Sequence, residues 1–245
     1  MVYNNTTSKN GLLQSIEFWT NLGDGAVSGD PLLKAVFTNR LNRRLDMYLG
    51  LLGAGSRQAQ IDDTNFTNQP FSLFNIVSGQ HDYEFLTDED GNSISDITAV
   101  YYNSGDGFKK LDKITLDNDE AELIMSPNPN NTGTPIKYVE RNNSIFLSPV
   151  PSVSIEGGGK IFYKRCPSYF TITDTNKEPG IPFQFHEMLA IGASYDWLLV
   201  NKSNAQTLIT RVEAELMKWE REFRTYVELR NPTKKRFTPK LEDLR

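Results

Sequence analysis

The sequence has a single cysteine, Cys166, and only two histidines, His81 and His186. One cysteine cannot close a disulfide within the chain, which argues against a small secreted scaffold held together by disulfides. Neither histidine stands in an HExxH motif or beside paired cysteines, so the spacing typical of zinc sites is missing. The chain also lacks eighteen consecutive apolar residues and a basic start followed by an apolar run, so we predict neither a membrane span nor a signal peptide.

Acidic residues are in modest excess, with 31 Asp and Glu against 26 Lys and Arg and a net charge of −5. Broad, sequence-independent binding of nucleic acid needs clustered cations against phosphates, so it is not the expected function. Hydrophobic residues make up 38% of the 245 positions, which is enough for the core of one large domain or two small ones. We expect a globular protein that is made in a reducing cytoplasm.

The first fifty residues have a helical pattern. Asp30 and Pro31 predict a helix start, because Asp caps free amides and Pro fits the first helical position. A shorter helix is predicted before it, with Leu12, Ile16 and Trp19 on one side. The longer helix has an apolar stripe at helical spacing, formed by Leu33, Val36, Phe37, Leu41, Leu45 and Tyr48.

From about residue 65 the pattern changes to short β-prone runs separated by turn sequences. The runs lie at residues 74–77, 83–85, 97–102, 136–139, 144–147 and 160–164. We therefore predict N-terminal helices over residues 1–64 and an antiparallel β module over residues 65–178. The glycine triplet at residues 157–159 is predicted to be a flexible hairpin loop. No strand alternates with a long helix, which disfavours a nucleotide-binding α/β architecture.

Residues 179–231 are predicted to return to two helices, the first buried on most sides and central. The second has a narrow apolar seam at spacings of three and four, formed by Ile209, Val212, Leu216, Trp219, Phe223 and Tyr226. Pro232 ends this helix because it lacks an amide hydrogen. Residues 232–245 form a basic extended tail that we expect to order only on a partner. The predicted fold class is therefore α+β, a helical bundle with an inserted antiparallel β module.

Patterns that would indicate chemistry are weak. Residues 88–91 are similar to a calcium loop but lack its twelfth-position Glu, and the acidic residues at 117–122 fit a solvated loop beside a strand. No GxSxG motif is present, and the glycine triplet is not followed by GK[ST]. His186 lies at the start of the buried helix, where a packing or capping role is favoured over a ligand role. We predict a protein that is not an enzyme, with no catalytic residues, no cofactor and no metal.

Three arginines, Arg40, Arg43 and Arg44, are spaced to share one side of the long N-terminal helix. Guanidinium groups there could contact phosphate in a channel lumen or carboxylates of a neighbouring subunit. It is equally possible that the three arginines face solvent or form ion pairs within their own chain.

The order of these parts, over roughly residues 30–230, resembles the adaptor proteins of tailed phages, of the tail accessory and tail tubular type. Residues 77–85, VSGQHDYEF, are similar to the "GQ..Y" first strand of that family, and residues 97–101 to its second. Residues 136–151 resemble its hairpin that ends in Pro-x-Pro, and residues 161–167 the strand that follows. Residues 181–193 look like its return helix.

This resemblance implies a structural virion protein of the neck between capsid and tail. Twelve subunits would form a ring, with the helical part around a channel through which packaged DNA passes without sequence-specific binding and no membrane contact. The β module would face tail or nozzle proteins, and the C-terminal tail would reach the portal protein. On this basis the predicted portal-binding residues are Lys234, Lys235, Arg236, Phe237, Lys240 and Arg245.

Other functions remain open from the sequence. The chain could be another neck or tail-completion ring subunit, such as a stopper or a tail terminator. A hydrolase that uses carboxylates brought together only by folding is a second class. A carbohydrate- or protein-binding β domain with added helices is a third.

Overall fold

The computed structural model describes residues 1–55, 65, 70–87, 91, 93–128 and 130–229. Helices and mainly antiparallel sheets occur together, which confirms the predicted α+β class. The chain divides into two compact units. The helical unit comprises Met1–Asn65 with Pro167–Arg245, and the β unit comprises Phe66–Cys166.

The helical unit contains α1 (Leu12–Thr20), α2 (Pro31–Gly55), α4 (His186–Asn201) and α5 (Gln206–Leu229). A 3-10 turn at Phe183–Phe185 leads into α4. Helix α4 packs against α1, α2 and α5, as expected for a helix that is apolar on most sides. The predicted central helix is therefore confirmed.

Local signals explain where α2 begins. The Asp30 carboxylate accepts the amide of Leu32 at 2.8 Å, and Pro31 is the first helical residue. In the predicted stripe, Phe37, Leu41, Leu45 and Tyr48 are fully buried. Val36 is exposed instead, because the buried side of the helix begins at Phe37 and Thr38 rather than one residue earlier.

The boundary between the β unit and the returning helical segment lies at Cys166 rather than at residue 178. Residues after Cys166 belong to the helical unit because they bond to its N-terminal part. The amide of Tyr3 donates to the carbonyl of Lys177 at 2.8 Å, and the Asn42 side chain bonds both to the amide and to the carbonyl of Phe170. The Tyr3 and Phe170 rings stack at 5.1 Å.

The β unit has two four-stranded sheets. The first sheet has the order β1-β10-β3-β4, from β1 (Phe71–Ile76), β10 (Ile155–Arg165), β3 (Ile94–Asn103) and β4 (Phe108–Lys110). The second has the order β2-β8-β7-β5, from β2 (Asp82–Glu84), β8 (Ser144–Ser148), β7 (Lys137–Arg141) and β5 (Asp112–Ile114). A small pair joins β6 (Thr132–Gly133) to β9 (Val150–Pro151).

Apolar residues from both sheets form one core, as in a β-sandwich. Ile76, Val100 and Ile161 enter it from the first sheet, and Tyr138 and Ile145 from the second. Side chains alternate along a strand. Lys160, next to Ile161, therefore lies on the outer face of the first sheet, and Val139, next to Tyr138, on that of the second. The two outer faces of the sandwich are therefore opposite each other.

The module is not purely antiparallel as predicted, because β5 pairs with β7 in parallel, and so do β6 and β9. Parallel neighbours need a crossover connection, and helix α3 (Asp119–Met125) lies in the one between β5 and β7. The acidic residues at 117–122 therefore do not form the expected loop. Asn118 caps α3, and Asp119, Glu120 and Glu122 lie in its first turn, where the helix dipole favours negative charge.

The glycine triplet at residues 157–159 is not a hairpin loop but part of β10. The register between β1 and β10 shifts there, and Gly157 has a φ of 59°. Gly159 pairs with Phe74, and a Cβ atom on Gly159 would lie 2.2 Å from Cζ of that ring. Glycine is therefore required by a close approach inside the sheet rather than by a turn.

Candidate functional site

Arg44 is the member of the predicted arginine trio that takes part in a defined polar network. Its Nε donates to Asp196 Oδ2 at 2.9 Å and its Nη2 to Asp196 Oδ1 at 2.7 Å. Its Nη1 reaches Glu220 Oε1 at 3.3 Å. The two-pronged contact with Asp196 is the geometry that a guanidinium provides and an ammonium does not. Arg44 thus links α2 to α4 and α5.

Two further side chains complete this network. The Tyr48 hydroxyl donates to Glu220 Oε1 at 3.0 Å, and burial, aided by the Glu220 charge, raises the pKa of Tyr48. Gly192 on α4 leaves room for the aliphatic part of the Arg44 side chain, since a Cβ atom there would lie 3.0 Å from Arg44 Cδ. The network holds three helices together, so Arg44 has partners within its own chain.

Arg40 and Arg43 do not join the network. Arg43 is exposed and Arg40 is half-buried, and neither forms an ion pair with another described residue. The predicted role at a subunit contact or a channel lumen stays a prediction for these two residues. The predicted tail residues, Lys234, Lys235, Arg236, Phe237, Lys240 and Arg245, lie outside the described residues, as does the loop at residues 88–90.

His186 is fully buried at the start of α4, as expected for a packing role. Its Nε2 donates to the carbonyl of Ile181 at 2.9 Å, and burial lowers the pKa of His186 below the usual 6.5. The next residue, Glu187, accepts bonds from Ser15 Oγ at 2.5 Å and Trp19 Nε1 at 2.7 Å. These contacts fix the start of α4 against α1.

The lowered pKa of His186 predicts a loss of stability in acid. As the pH falls below 6.5, the unfolded chain takes up a proton that the folded chain resists, so stability present above pH 6.5 declines towards the folded pKa. Uptake of one proton changes the free energy of unfolding by at most about 1.4 kcal/mol per pH unit. Urea denaturation from pH 7.5 to pH 5 should show a shallower decline for His186→Gln than for the wild type. His81→Gln is the control, and an equal slope in all three proteins would contradict the prediction.

A cleft of about 640 Å³ lies beside α1, lined in part by Lys9, Phe18, Trp19, Asp24 and Arg211. Its charged groups are engaged: Lys9 pairs with Asp24, and the Arg211 guanidinium lies 5.7 Å from the Trp19 ring. Glu17 also borders the cleft, but its buried carboxylate accepts bonds from the backbone amides of Gly25, Val27 and Ser28. The carboxylate thus organises a loop rather than facing a ligand.

The outer side of the first sheet carries a group of rings around one lysine. We call Phe71, Tyr101, Phe108, Lys160 and Phe162 the aromatic face. The Lys160 ammonium lies 4.0 Å from the Phe71 ring centroid, 4.9 Å from that of Phe162 and 5.6 Å from that of Phe108. Tyr101 meets Phe162 edge-on at 5.4 Å.

Within the described residues, no cluster of three or more His, Cys, Asp or Glu side chains is placed to hold a metal ion. None of the five described helices has both the length and the apolar composition of a membrane span. Neither family models nor curated proteins match this chain.

Sequence reasoning missed the aromatic face, although the alternation that builds it is visible. Phe71 and Leu73 on β1, and Lys160 and Phe162 on β10, are two residues apart and so share a side of the sheet. The missing step was the pairing of β1 with β10, whose residues are separated by about ninety positions in the sequence. No local signal specifies that pairing.

Proposed function

We propose that this chain is a subunit of the adaptor ring in a phage neck, joining the portal vertex to the tail and lining part of the DNA channel. One observation carries the proposal. Two segments far apart in sequence form a single helical unit, and a β-sandwich is inserted between them. This is the order of parts in the adaptor proteins that the sequence resembles.

The segments that carry the resemblance lie on elements of the matching kind. Residues 77–85 include β2, and residues 97–101 lie in β3. Residues 136–151 run through the β7–β8 hairpin to β9, and residues 161–167 include the end of β10. Residues 181–193 cover the 3-10 turn and the start of α4. It is the order of these segments along the chain, rather than any single match, that supports a relationship to the adaptor family.

The charge distribution suits a conduit for DNA. A net charge of −5 disfavours a strong grip on phosphates, so a genome could slide past the subunit. The cations of residues 232–245 are clustered in one segment of the sequence and would pair with carboxylates of the portal. The proposed attachment therefore combines a folded body with a basic segment that docks.

The decisive experiment compares assembly with turnover. Light scattering after size exclusion and negative-stain imaging should show a ring, alone or on addition of the portal protein of the same phage. A chain that stays monomeric in both conditions would contradict the adaptor proposal. Hydrolysis of a glycan or nucleic acid substrate by that monomer would favour the carboxylate hydrolase instead.

Deleting residues 231–245 should weaken attachment to purified portal by about tenfold or more, because an aromatic anchor and its surrounding cations are removed together. Pro232 is expected to end the last helix, so the circular dichroism spectrum of the truncated chain should keep its helical shape. Equal attachment of both proteins at low and high salt would contradict this role of the tail and leave the helical body as the contact.

Two single substitutions separate the parts of the tail. Phe237→Ala should raise the dissociation rate by about tenfold, since buried aromatic anchors set residence time. Lys234→Ala should mainly slow association and reduce its salt dependence, because charges at an interface rim act on encounter. Surface plasmon resonance with immobilised portal measures both rates.

A further inference from the structure

The outer faces of the β-sandwich are covered unequally. On the second sheet, α3 packs through Ala121 and Ile124 over Val139, with Phe146 beside them. On the first sheet, the outer side remains exposed, with Leu73 at 44% and Phe108 at 40% exposure. An apolar sheet surface that stays open in the subunit is typical of a contact with another molecule.

The aromatic face is one continuous surface with a positive charge. Its rings surround the Lys160 ammonium, and Lys110, two residues after Phe108 on the exposed edge strand β4, lies on the same side of the sheet. Lys110 pairs with Tyr101 in the sheet, so cations and rings alternate across it. A matching surface would be apolar with carboxylates at its margin.

The ring geometry disfavours single-stranded nucleic acid as the ligand. Bases stack on open, flat ring faces. Here the Phe71 and Phe162 rings are tilted by 52° and the Tyr101 and Phe162 rings by 67°, so they pack on one another. The Lys160 ammonium also occupies the space over Phe71. The cluster is suited to burial as a whole against a protein surface.

Such a surface lies on the opposite side of the same sandwich. Leu123 on α3 is 72% exposed, and Leu116 in the preceding turn is also exposed. Asp117, Asp119 and Glu122 are exposed beside them, and none of the three pairs with a cation among the described residues. We call these five residues the leucine face. It combines apolar side chains with negative charge, the complement of the aromatic face.

We infer that the aromatic face of one copy of this chain docks on the leucine face of a second copy. The two faces are different and lie on opposite sides of one sandwich, so the contact is heterologous and a docked pair retains one free face of each kind. Repetition of such a contact builds a ring when the rotation closes. The inference rests on the proposed adaptor function for this closure, and it assigns the ring contact to the β unit.

The test uses two variants of the full chain, each with one face impaired. Phe108→Glu places a carboxylate in the aromatic face, where it meets the acids of the leucine face. Leu123→Gln removes the most exposed leucine and keeps a good helix former in α3. Val153→Asp, an exposed apolar residue in the turn between β9 and β10, is the matched control. Circular dichroism checks that each variant is folded.

Sedimentation velocity should show association of the wild type and of Val153→Asp, and each face variant should associate at least about tenfold more weakly. A mixture of the two face variants should form a 1:1 dimer, because each supplies the face that the other lacks, and should not grow further. Such complementation is specific to a heterologous contact.

Three results would overturn the inference: a wild type that stays monomeric up to about 1 mM, face variants that associate like the wild type, or a mixture that does not pair. Face variants that keep self-association but lose a portal or tail partner would assign the aromatic face to that partner and overturn it too. If the face variants associate like the wild type and form rings that attach normally to the portal, the adaptor function would still be supported. A 1:1 dimer without portal attachment would support the contact and contradict the adaptor.

Discussion

Replacing Arg44 with alanine is expected to lower the free energy of unfolding by about 2–4 kcal/mol. The substitution leaves the Asp196 and Glu220 carboxylates without the guanidinium that both contact. These carboxylates are 33% and 26% exposed, so water compensates in part and the loss stays below that of a fully buried pair. Tyr48 also keeps its bond to a carboxylate that has lost its cation. Urea denaturation followed by circular dichroism measures the change.

Arg43→Ala is the matched control because it removes the same side chain one residue earlier, from an exposed position. Its effect should stay within about 0.5 kcal/mol of zero. Arg44→Lys should recover only part of the loss, since an ammonium cannot bond both oxygens of Asp196 in parallel. Equal stabilities for Arg43→Ala and Arg44→Ala would show that the three-helix network contributes nothing measurable.

The Arg44 network also marks how far sequence reasoning reaches. Helical spacing correctly put Arg40, Arg43 and Arg44 near one side of α2, because spacing depends only on the helix itself. It did not distinguish a paired arginine from a solvated one. The partners Asp196 and Glu220 lie 152 and 176 residues later in the chain, and only the packing of α4 and α5 brings them close.

Signals that act between near neighbours were sufficient for the long elements. Asp30 and Pro31 predicted the start of α2, and the apolar seam predicted α5, where Ile209, Val212 and Phe223 are buried. Trp219 and Tyr226 of the same seam lie half-buried at its margin and contact Phe185. Because the apolar period extends over about six turns, it predicts the helix even where a single position is less buried than expected.

Short elements were missed for a different reason. Strands β4 and β5 have three residues each, too few for a period to emerge. Helix α3 did have a local signal, since Asn118 followed by Asp119 and Glu120 is a favoured helix start. The charge of that run alone favours a solvated loop, whereas its capping pattern favours the helix start that the structure shows.

The prediction of a hairpin loop at residues 157–159 is wrong because composition alone cannot tell a turn from a crowded strand. A residue without a side chain suits both situations. In β10 the deciding fact is the position of the Phe74 ring, which belongs to β1 and is brought in by strand pairing. The same crowding makes Gly159 the position in the β unit where a single methyl group should be most costly.

Gly159→Ala is expected to lower the free energy of unfolding by about 2–3 kcal/mol, the typical cost of overpacking a filled site. The new Cβ would lie 2.2 Å from Phe74 Cζ and 2.4 Å from Cε1 and Cε2, so the ring must move. The Tyr83 ring, 5.1 Å from that of Phe74, restricts this movement. Gly50→Ala is the control: it lies on the exposed side of α2 with nothing within 4 Å of a Cβ atom, and it should stabilise by about 0.5–1 kcal/mol.

A double-mutant cycle separates this collision from a general preference for glycine in the strand. Phe74→Leu alone should destabilise, because it removes a ring that packs against the sandwich core. If the ring is what excludes a side chain at Gly159, then Gly159→Ala should cost less in the Phe74→Leu background, by about 1–2 kcal/mol of coupling. Costs that simply add would mean that the backbone of β10 itself requires glycine, through the bulge at Gly157 and Gly158, and that Phe74 only fills the space that remains.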